Sequence, residues 1–248
     1  MKICRISGAL LDGAGLRRLR DFHWADPVIV PTGDSVPLDE ALLIAPVTPG
    51  KIVAVGRNYA DHAKELGNDV PAEPILFLKP PSALNSPGGA IDMPAVSSRV
   101  DFEGELAIVI GRRAKNVDPA GWREYVFGFT CANDVTARDL QKRDVQFTRG
   151  KGFDTFCPLG PWIETELDPS DLAIRTRVNG ETRQDARTSM MIFSPAALVA
   201  FVSGIMTLEP GDVILTGTPA GVGPLAAGDT VEVEIEGIGT LRNYTRKG

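Results

Sequence analysis

The segment from Asp101 to Ile110 joins three alternating acids to an unbroken apolar run, and it constrains the fold more than any other part of the chain. Successive side chains of a strand point to opposite faces, so Asp101, Glu103 and Glu105 are expected on one side. Like charges this close raise one another's pKa unless cations neutralise them, and a bound divalent metal ion would do so. The alternative is a solvent-facing edge strand whose acids keep it soluble.

Length and charge limit the classes of protein to consider. The chain has 248 residues, of which 43% are apolar, which is enough for one large domain or one domain with a small appendage. The net charge of −6 includes no long basic run, so nucleic acid is not an expected partner. The first residues do not resemble a signal peptide and no apolar stretch approaches the length of a membrane span, so we expect a cytoplasmic protein without a membrane partner.

Cysteine and histidine usage restricts the kind of metal site. Cys4, Cys131 and Cys157 are odd in number and far apart, which argues against a disulfide framework or a cysteine-bound zinc ion and predicts small buried side chains. The sequence has two histidines, His23 and His62, so one chain cannot supply three histidine ligands to zinc. Any metal ion should therefore be held mainly by oxygen atoms.

Glycine and proline divide the chain into short apolar segments, which predict many strands and few helices. Residues 1–48 are interpreted as a small β-containing N-terminal extension and residues 49–248 as the main domain. The hairpin signal is strongest at Asn179-Gly180, and Ser194 with Pro195 is typical of a helix start. The predicted strands are 51–56, 75–78, 126–132, 174–178, 213–215, 230–235 and 239–244, and the predicted helices are 59–66, 118–126, 136–147 and 194–205. This order indicates an α+β, mainly β fold without repeated parallel βαβ units.

A hard cation such as Mg²⁺ or Mn²⁺ prefers oxygen ligands and keeps several positions for water or substrate. Glu103 and Glu105 are the first candidates for ligands. Asp134 is the best third candidate because it ends an apolar strand and would project from the edge of the core. Asp101 competes with it, although a solvated acid at the strand entrance would explain Asp101 equally.

Three further features could contribute chemistry. His62 and Glu65 are three residues apart in a predicted helix, so the carboxylate could orient the imidazole and increase its basicity, unless the two form an ordinary solvated surface pair. Lys151 lies between two glycines and could approach an anionic substrate, unless it is simply solvated. The segment 216–223 could cradle an anion or form a tight turn, and it matches neither the P-loop nor the dinucleotide-binding pattern.

Five ordered motifs together resemble the fumarylacetoacetate hydrolase family, over about residues 50–245. They are Gly56-Arg57-Asn58-Tyr59-Ala60-Asp61-His62, Phe77-Leu78-Lys79-Pro80, Glu103-Gly104-Glu105-Leu106, Asn133-Asp134-Val135-Thr136-Ala137-Arg138-Asp139-Leu140-Gln141 and Leu215-Thr216-Gly217-Thr218-Pro219. The resemblance implies a mixed β-sandwich or roll core, a homodimer and a Mg²⁺ or Mn²⁺ ion.

The same resemblance assigns roles to residues at matching positions. It implies Glu103, Glu105 and Asp134 as the metal ligands, and His62 with Glu65 as a water-activating dyad on a lid-like helix. It also implies that Lys151 stabilises an enolate or oxyanion. The residues that it places in the substrate pocket are Arg138, Gln141, Gly217 and Thr218.

The leading hypothesis is hydrolysis of a C–C bond in an acylpyruvate-type β-diketo acid, with a 2-oxo acid bound beside the metal ion. Three carboxylates and one dication leave a net negative charge, so Lys151 and Arg138 are needed nearby to hold an anionic substrate. Two different reactions also remain open: decarboxylation of oxaloacetate or a related acid, and double-bond isomerisation of 2-hydroxyhepta-2,4-diene-1,7-dioate. A non-catalytic sensor of 2-oxo acids is the alternative from a different class; it would keep the metal ligands but would not need the dyad.

Overall fold

The computed structural model describes residues 2–5, 9–12, 15–19, 31–36 and 43–248, with side chains described for 2–5 and 43–248. His23 lies outside the described residues. The strands are β1 (Lys2–Cys4), β2 (Ala9–Asp12), β3 (Gly15–Leu19), β4 (Pro31–Val36), β5 (Ile52–Gly56), β6 (Ile75–Lys79), β7 (Leu84–Asn85), β8 (Ala90–Met93), β9 (Val100–Phe102), β10 (Gly104–Ile110), β11 (Val126–Asn133), β12 (Thr136–Ala137), β13 (Cys157–Glu164), β14 (Ala173–Val178), β15 (Glu181–Arg187), β16 (Val213–Leu215), β17 (Gly223–Pro224), β18 (Thr230–Ile235) and β19 (Gly239–Lys247).

Helices are short and connect the sheets. The α-helices of the described chain are α1 (Ala60–Glu65), α2 (Arg138–Asp144), α3 (Thr148–Lys151) and α4 (Pro195–Ile205). In the described residues, 3₁₀ helices span Pro81–Ala83, Pro119–Tyr125 and Thr188–Met190. Within the described residues, no helix has the length and apolar character needed to cross a membrane. The prediction of a mainly β fold with few helices is confirmed.

Three sheets organise the described part of the chain. The largest has the strand order β4-β3-β2-β1-β13-β11-β10-β16-β5-β6, with β7 pairing with β13 at its side. A second sheet has the order β12-β9-β17 and a third has the order β15-β14-β18-β19-β8. Most pairs are antiparallel, but β16 and β5 are parallel, so the segments that follow them leave the same edge of the sheet. The N-terminal β1 pairs with β13 of the main sheet, and the domain boundary after residue 48 stays a prediction.

Local turn and cap chemistry explains two elements that the sequence predicts. The β14–β15 hairpin turns at Asn179 and Gly180, whose φ angles of 53° and 80° are those of a type I′ turn. Helix α4 begins after Ser194, whose hydroxyl accepts a hydrogen bond from the Ala197 N–H at 3.3 Å. Pro195 occupies the first helical position, where its missing N–H costs nothing.

The acidic segment differs from its prediction as one continuous strand. It divides at Glu103: β9 belongs to the small sheet with β12 and β17, whereas β10 belongs to the main sheet between β11 and β16. Asp101 and Glu105 are therefore in different sheets. The interpretation of Asp101 as a solvated acid is wrong, because Asp101 is 0% exposed, and the edge-strand alternative is wrong because every residue of β10 is buried.

Strand β10 has apolar side chains on both faces. Leu106, Ile108 and Ile110 pack in one cluster together with residues of α4 and of the third sheet. Ala107 and Val109 point the other way, into a cluster that includes residues around β9, β13 and α2. The main sheet is thus covered on both sides, which holds the acidic end of β10 rigidly in the interior. Cys4, Cys131 and Cys157 are all buried and none of them forms a disulfide, as predicted.

Candidate active site

The pairing of β10 with β11 brings three carboxylates together. Gly104, the first residue of β10, pairs with Asn133, the last residue of β11, so Glu105 lies one residue into β10 and Asp134 directly follows β11. The Asp134 N–H donates to the Glu103 carbonyl at 2.8 Å, and the Glu103 N–H donates to the Asn133 side-chain oxygen at 2.9 Å. These contacts therefore fix the positions of Glu103, Glu105 and Asp134 independently of contacts between their carboxylates.

These three residues form a buried oxygen-rich cluster. One carboxylate oxygen of each lies within 4.8 Å of those of the other two. An all-carboxylate donor set is what Mg²⁺ and Mn²⁺ prefer, and each oxygen can accept more than one contact. The residues present therefore fit a hard divalent cation.

Two lysines and an arginine reach the same carboxylates. Lys151 Nζ donates to Glu103 Oε2 at 2.7 Å and to Asp134 Oδ2 at 2.6 Å. Lys79 Nζ donates to Asp134 Oδ1 at 2.6 Å, and Arg138 Nη2 donates to Glu103 Oε1. All three cations are buried, so the solvated alternative for Lys151 is wrong. Such buried charges require partners, and the carboxylates supply them.

The negative charge of the cluster is neutralised unevenly. Burial would raise the pKa of Glu103, but Lys151 and Arg138 together hold it below its usual value. Burial raises the pKa of Glu105 well above its usual value, and the charges of Asp134 and Glu103 raise it further. Burial would lower the pKa of Lys151, yet Asp134 and Glu103 raise it overall. Glu105 is thus the carboxylate that gains most from an additional cation.

Asp101 fixes the position of Arg138. Arg138 Nε donates to Asp101 Oδ2 at 2.9 Å, while Arg99 donates to both Asp101 oxygens at 2.8 and 3.1 Å. Arg138 Nη1 donates to Gln141 Oε1 at 2.7 Å. The guanidinium is therefore held between Asp101 in one sheet and Glu103 at the junction of two sheets, in a geometry that lysine could not reproduce.

His62 and Glu65 lie together on α1. His62 Nδ1 is 3.3 Å from Glu65 Oε2, and the His62 side chain is buried, so this is not a solvated surface pair. Glu65 also accepts the Gly221 N–H at 3.1 and 3.2 Å. This contact joins the helix to the loop after β16 and fixes the carboxylate. With Nδ1 facing Glu65, Nε2 is the nitrogen available for exchange of a proton.

The loop after β16 supports the cluster from another side. The Gly217 N–H donates to Glu105 Oε2 at 2.6 Å, and Gly217 has a φ of 96° that favours glycine. Thr218 Oγ1 donates to the Gly104 carbonyl at 2.9 Å and accepts from Gln184 Nε2 at 2.7 Å. The Asn58 side chain connects the segment after β5 to the loop after β16, because it donates hydrogen bonds to the Thr216 and Phe193 carbonyls at 2.7 and 3.0 Å.

A cavity of about 370 Å³ opens onto this cluster. Its lining includes most of the residues that the sequence singles out, namely His62, Glu103, Glu105, Asp134, Arg138, Gln141, Lys151 and Thr218. Glu65 and Gly217 are outside the lining and contact it through His62 and Glu105. The volume suits a small-molecule ligand.

The sequence patterns assign no role to Lys79 and too small a role to Asp101. Lys79 ends the short apolar strand β6, and a lysine in that position is a usable signal of a buried charge. Asp101 shares its alternation with Glu103 and Glu105, but the change of sheet at Glu103 turns it toward Arg138 instead. No pattern in the sequence predicts that change of sheet.

The mixed-sheet scaffold thus carries a buried carboxylate cluster that could hold a metal ion and that faces a cavity. Residues 51–246 match the model described as fumarylacetoacetate (FAA) hydrolase C-terminal. The chain belongs to the fumarylacetoacetate hydrolase family.

Relatives within this family are enzymes with different reactions. The chain is 47% identical to the mitochondrial oxaloacetate tautomerase of Xenopus laevis, covering 81% of this chain and 67% of the relative. The crystal structure of a 2-hydroxyhepta-2,4-diene-1,7-dioate isomerase from Mycobacterium marinum matches with a TM-score of 0.90 and 47% identity, over 100% and 98% of the two chains. A maleylpyruvate hydrolase from Sphingobium sp. SYK-6, solved with manganese(II) and pyruvate, matches with a TM-score of 0.84 and 33% identity over 100% of both chains.

Proposed function

We propose that this protein is a divalent-metal-dependent enzyme that acts on 2-oxo acids and hydrolyses a C–C bond in an acylpyruvate-type substrate. The observation that carries the proposal is that the carboxylate cluster, His62 and Lys151 line one cavity. A metal cluster alone would serve a sensor of 2-oxo acids. The buried imidazole supported by Glu65 adds a proton acceptor that binding alone does not require.

Glu103, Glu105 and Asp134 would hold the ion, which we expect to be Mg²⁺ or Mn²⁺. When bound, the ion supplies Lewis-acid stabilisation of negative charge on the 2-oxo acid. Two observations support this role: the three oxygens converge, and the pKa of Glu105 is raised by burial and by its acidic neighbours. The manganese ion of the Sphingobium relative gives the proposal independent support.

His62 would remove a proton from water as the water oxygen attacks the distal carbonyl carbon. The bond between that carbon and C3 of the pyruvate unit then breaks, and its electron pair leaves with the pyruvate enolate. Lys151 and Arg138 would flank the developing negative charge, and protonation of C3 gives pyruvate. Glu65 would keep the imidazole oriented throughout, because it is itself held by the Gly221 N–H. Gln141 and Thr218 would position the bound substrate.

Keto–enol interconversion of oxaloacetate is the second candidate. It needs a proton acceptor and charge stabilisation but no attacking water, and the 47% identity with the Xenopus tautomerase is the observation that favours it. Decarboxylation of oxaloacetate and the isomerisation performed by the Mycobacterium marinum relative would use the same cavity. The homodimer stays a prediction that light scattering after gel filtration can check.

The decisive experiment is a turnover panel of acylpyruvates, oxaloacetate and 2-hydroxyhepta-2,4-diene-1,7-dioate, with Mg²⁺, with Mn²⁺ and with chelator. We expect metal-dependent cleavage of an acylpyruvate that is lost in His62→Ala and retained in Lys64→Ala, a variant on the exposed side of the same helix. Metal-dependent tautomerisation without cleavage would support the second candidate. Metal binding with no turnover of any substrate would support the sensor.

A further inference from the structure

A polar side chain of the third sheet contacts the strand that carries the carboxylates. Strand β15 lies at the edge of that sheet, and of its residues, all of which the structure describes, Gln184 alone is buried, with 0% exposure. Burial of a carboxamide is unfavourable unless its polar atoms find hydrogen-bond partners. The contacts of Gln184 must therefore offset the loss of water around its side chain.

The hydrogen-bond partners of Gln184 fix one orientation of its carboxamide. Gln184 Oε1 accepts from the Gly104 N–H at 3.0 Å, and Nε2 donates to the Pro219 carbonyl at 2.8 Å. A backbone N–H can only donate and a carbonyl can only accept, so these two partners determine which end of the amide carries the oxygen. The Nε2 atom also lies 2.7 Å from Thr218 Oγ1, to which it donates.

Gln184, Gly104 and Thr218 form a closed hydrogen-bonded ring. The Gly104 N–H donates to Gln184, Gln184 donates to Thr218, and the Thr218 hydroxyl donates to the Gly104 carbonyl at 2.9 Å. Gly104 is the residue between Glu103 and Glu105. The ring therefore holds the backbone N–H and carbonyl of the residue that separates these two carboxylates.

Two glycines permit the close packing around this ring. A Cβ atom at Gly104 would collide with Thr176 Oγ1, on β14 opposite Gln184. A Cβ atom at Gly221 would collide with the Arg183 carbonyl oxygen of β15. The start of β10 and the loop after β16 therefore both pack directly on the β14–β15 hairpin.

The loop after β16 also contacts two carboxylates of the site. The Gly217 N–H donates to Glu105 Oε2 at 2.6 Å, and the Gly221 N–H donates to the Glu65 carboxylate at 3.1 and 3.2 Å. The loop residues that Gln184 contacts lie between these two glycines in the sequence. A shift of this loop would therefore move both carboxylate contacts.

We propose that Gln184 is a positioning residue of the metal site, whose carboxamide holds Gly104 and the loop after β16 so that Glu103 and Glu105 keep the geometry that binds the ion. This inference rests on the proposed function, because it concerns the metal ion proposed there. Gln184 is outside the cavity lining, so it acts only through the residues that it holds. Loss of a residue that orients metal ligands typically lowers metal affinity or activity by about 10–100-fold.

Titration of the metal-free protein with Mn²⁺, with the free ion measured by electron paramagnetic resonance, tests this role without turnover. Gln184→Met keeps a side chain of similar length but removes its hydrogen bonds, and we expect Mn²⁺ to bind at least about tenfold more weakly. Thr188→Val is the matched control. Next to β15 and outside the cavity lining, the buried Thr188 hydroxyl accepts from the Leu172 N–H and donates to the Pro169 carbonyl, both at 2.7 Å. Both variants should lower Tm, but the control should keep the full Mn²⁺ affinity.

A second pair of variants breaks the ring at Thr218 and leaves Gln184 in place, so the test does not depend on the folding of one variant. Thr218→Val removes the hydroxyl and Thr218→Ser retains it. We expect weaker Mn²⁺ binding in the first variant and nearly unchanged binding in the second. The double variant Gln184→Met with Thr218→Val should bind more tightly than the product of the two separate effects predicts, because both substitutions break the same ring.

The outcomes separate this inference from the proposed function. Unchanged Mn²⁺ affinity in Gln184→Met or in Thr218→Val would overturn the positioning role while leaving the proposed function intact. Equal weakening in Thr188→Val would also overturn it, because lost stability would then explain the effect. Absence of Mn²⁺ binding in the unaltered protein would instead contradict the proposed metal site.

Discussion

Replacement of Asp101 by Asn tests the argument that this buried carboxylate fixes Arg138. Asp101 accepts three hydrogen bonds, two from Arg99 and one from Arg138. Asparagine has nearly the same shape but no charge, and its NH₂ group would face a guanidinium donor. The substitution therefore removes the electrostatic attraction while leaving the volume of the core almost unchanged.

The structure sets the size of the expected effect. Loss of one partner from a buried ion pair costs about 3–5 kcal/mol. The lower end applies here because the Arg99 side chain is 49% exposed and can regain water, whereas the Arg138 side chain is only 4% exposed. For a chain of this size, a loss of about 3 kcal/mol lowers Tm by about 6–12 °C.

Differential scanning calorimetry of metal-free protein measures this change directly. Asp144→Asn is the matched control, since Asp144 pairs with Arg149 at the surface and surface ion pairs contribute little. We expect a clear fall in Tm for Asp101→Asn and almost none for the control. If the two variants melt at the same temperature, the Asp101 contacts do not stabilise the fold and the proposed anchoring of Arg138 is refuted.

Three more outcomes follow from the site and the core. Because the pKa of Glu105 is raised in the folded state, the metal-free protein should lose stability as pH rises above the ordinary pKa of 4.5. A series of Tm measurements against pH should show this decline, and Glu105→Gln or added Mg²⁺ should abolish it. Burial raises the pKa of the Cys131 and Cys157 thiols to about 12, so a thiol reagent should label both only after denaturation. Gly217→Ala would place a Cβ atom 2.6 Å from the buried Asn58 side chain, at a residue with a positive φ. We expect the free energy of unfolding in urea to fall by about 1–3 kcal/mol and Mg²⁺ binding, measured by calorimetry, to weaken.

The sequence predicts well the parts of the fold that local chemistry determines. The Asn179-Gly180 turn and the Ser194-Pro195 helix start carry their own signals, and both elements begin and end close to where they are expected. The break at Glu103 has no such signal. Whether β9 continues into β10 depends on which distant strands pair with each, and that information lies in residues around 136 and 223 rather than in the acidic segment.

The candidate site divides in the same way. The ordered motifs lead to Glu103, Glu105 and Asp134, and the structure brings their oxygens together. The function of Lys79 could not be read from its motif, because its partner Asp134 is 55 residues away and their contact depends on the packing of β6. Charges that act as counterions are visible only once tertiary structure places them beside an opposite charge.

The change of sheet at Glu103 has a consequence for how such a protein can diversify. Side chains at that junction contact two sheets as well as the carboxylate cluster, so we expect a substitution there to disturb both the fold and the proposed chemistry. Arg57 and Lys142 also line the cavity, but their side chains make no ion pair or hydrogen bond among the described residues. We therefore expect residues that only line the cavity to be exchanged more readily than residues at the junction of the two sheets.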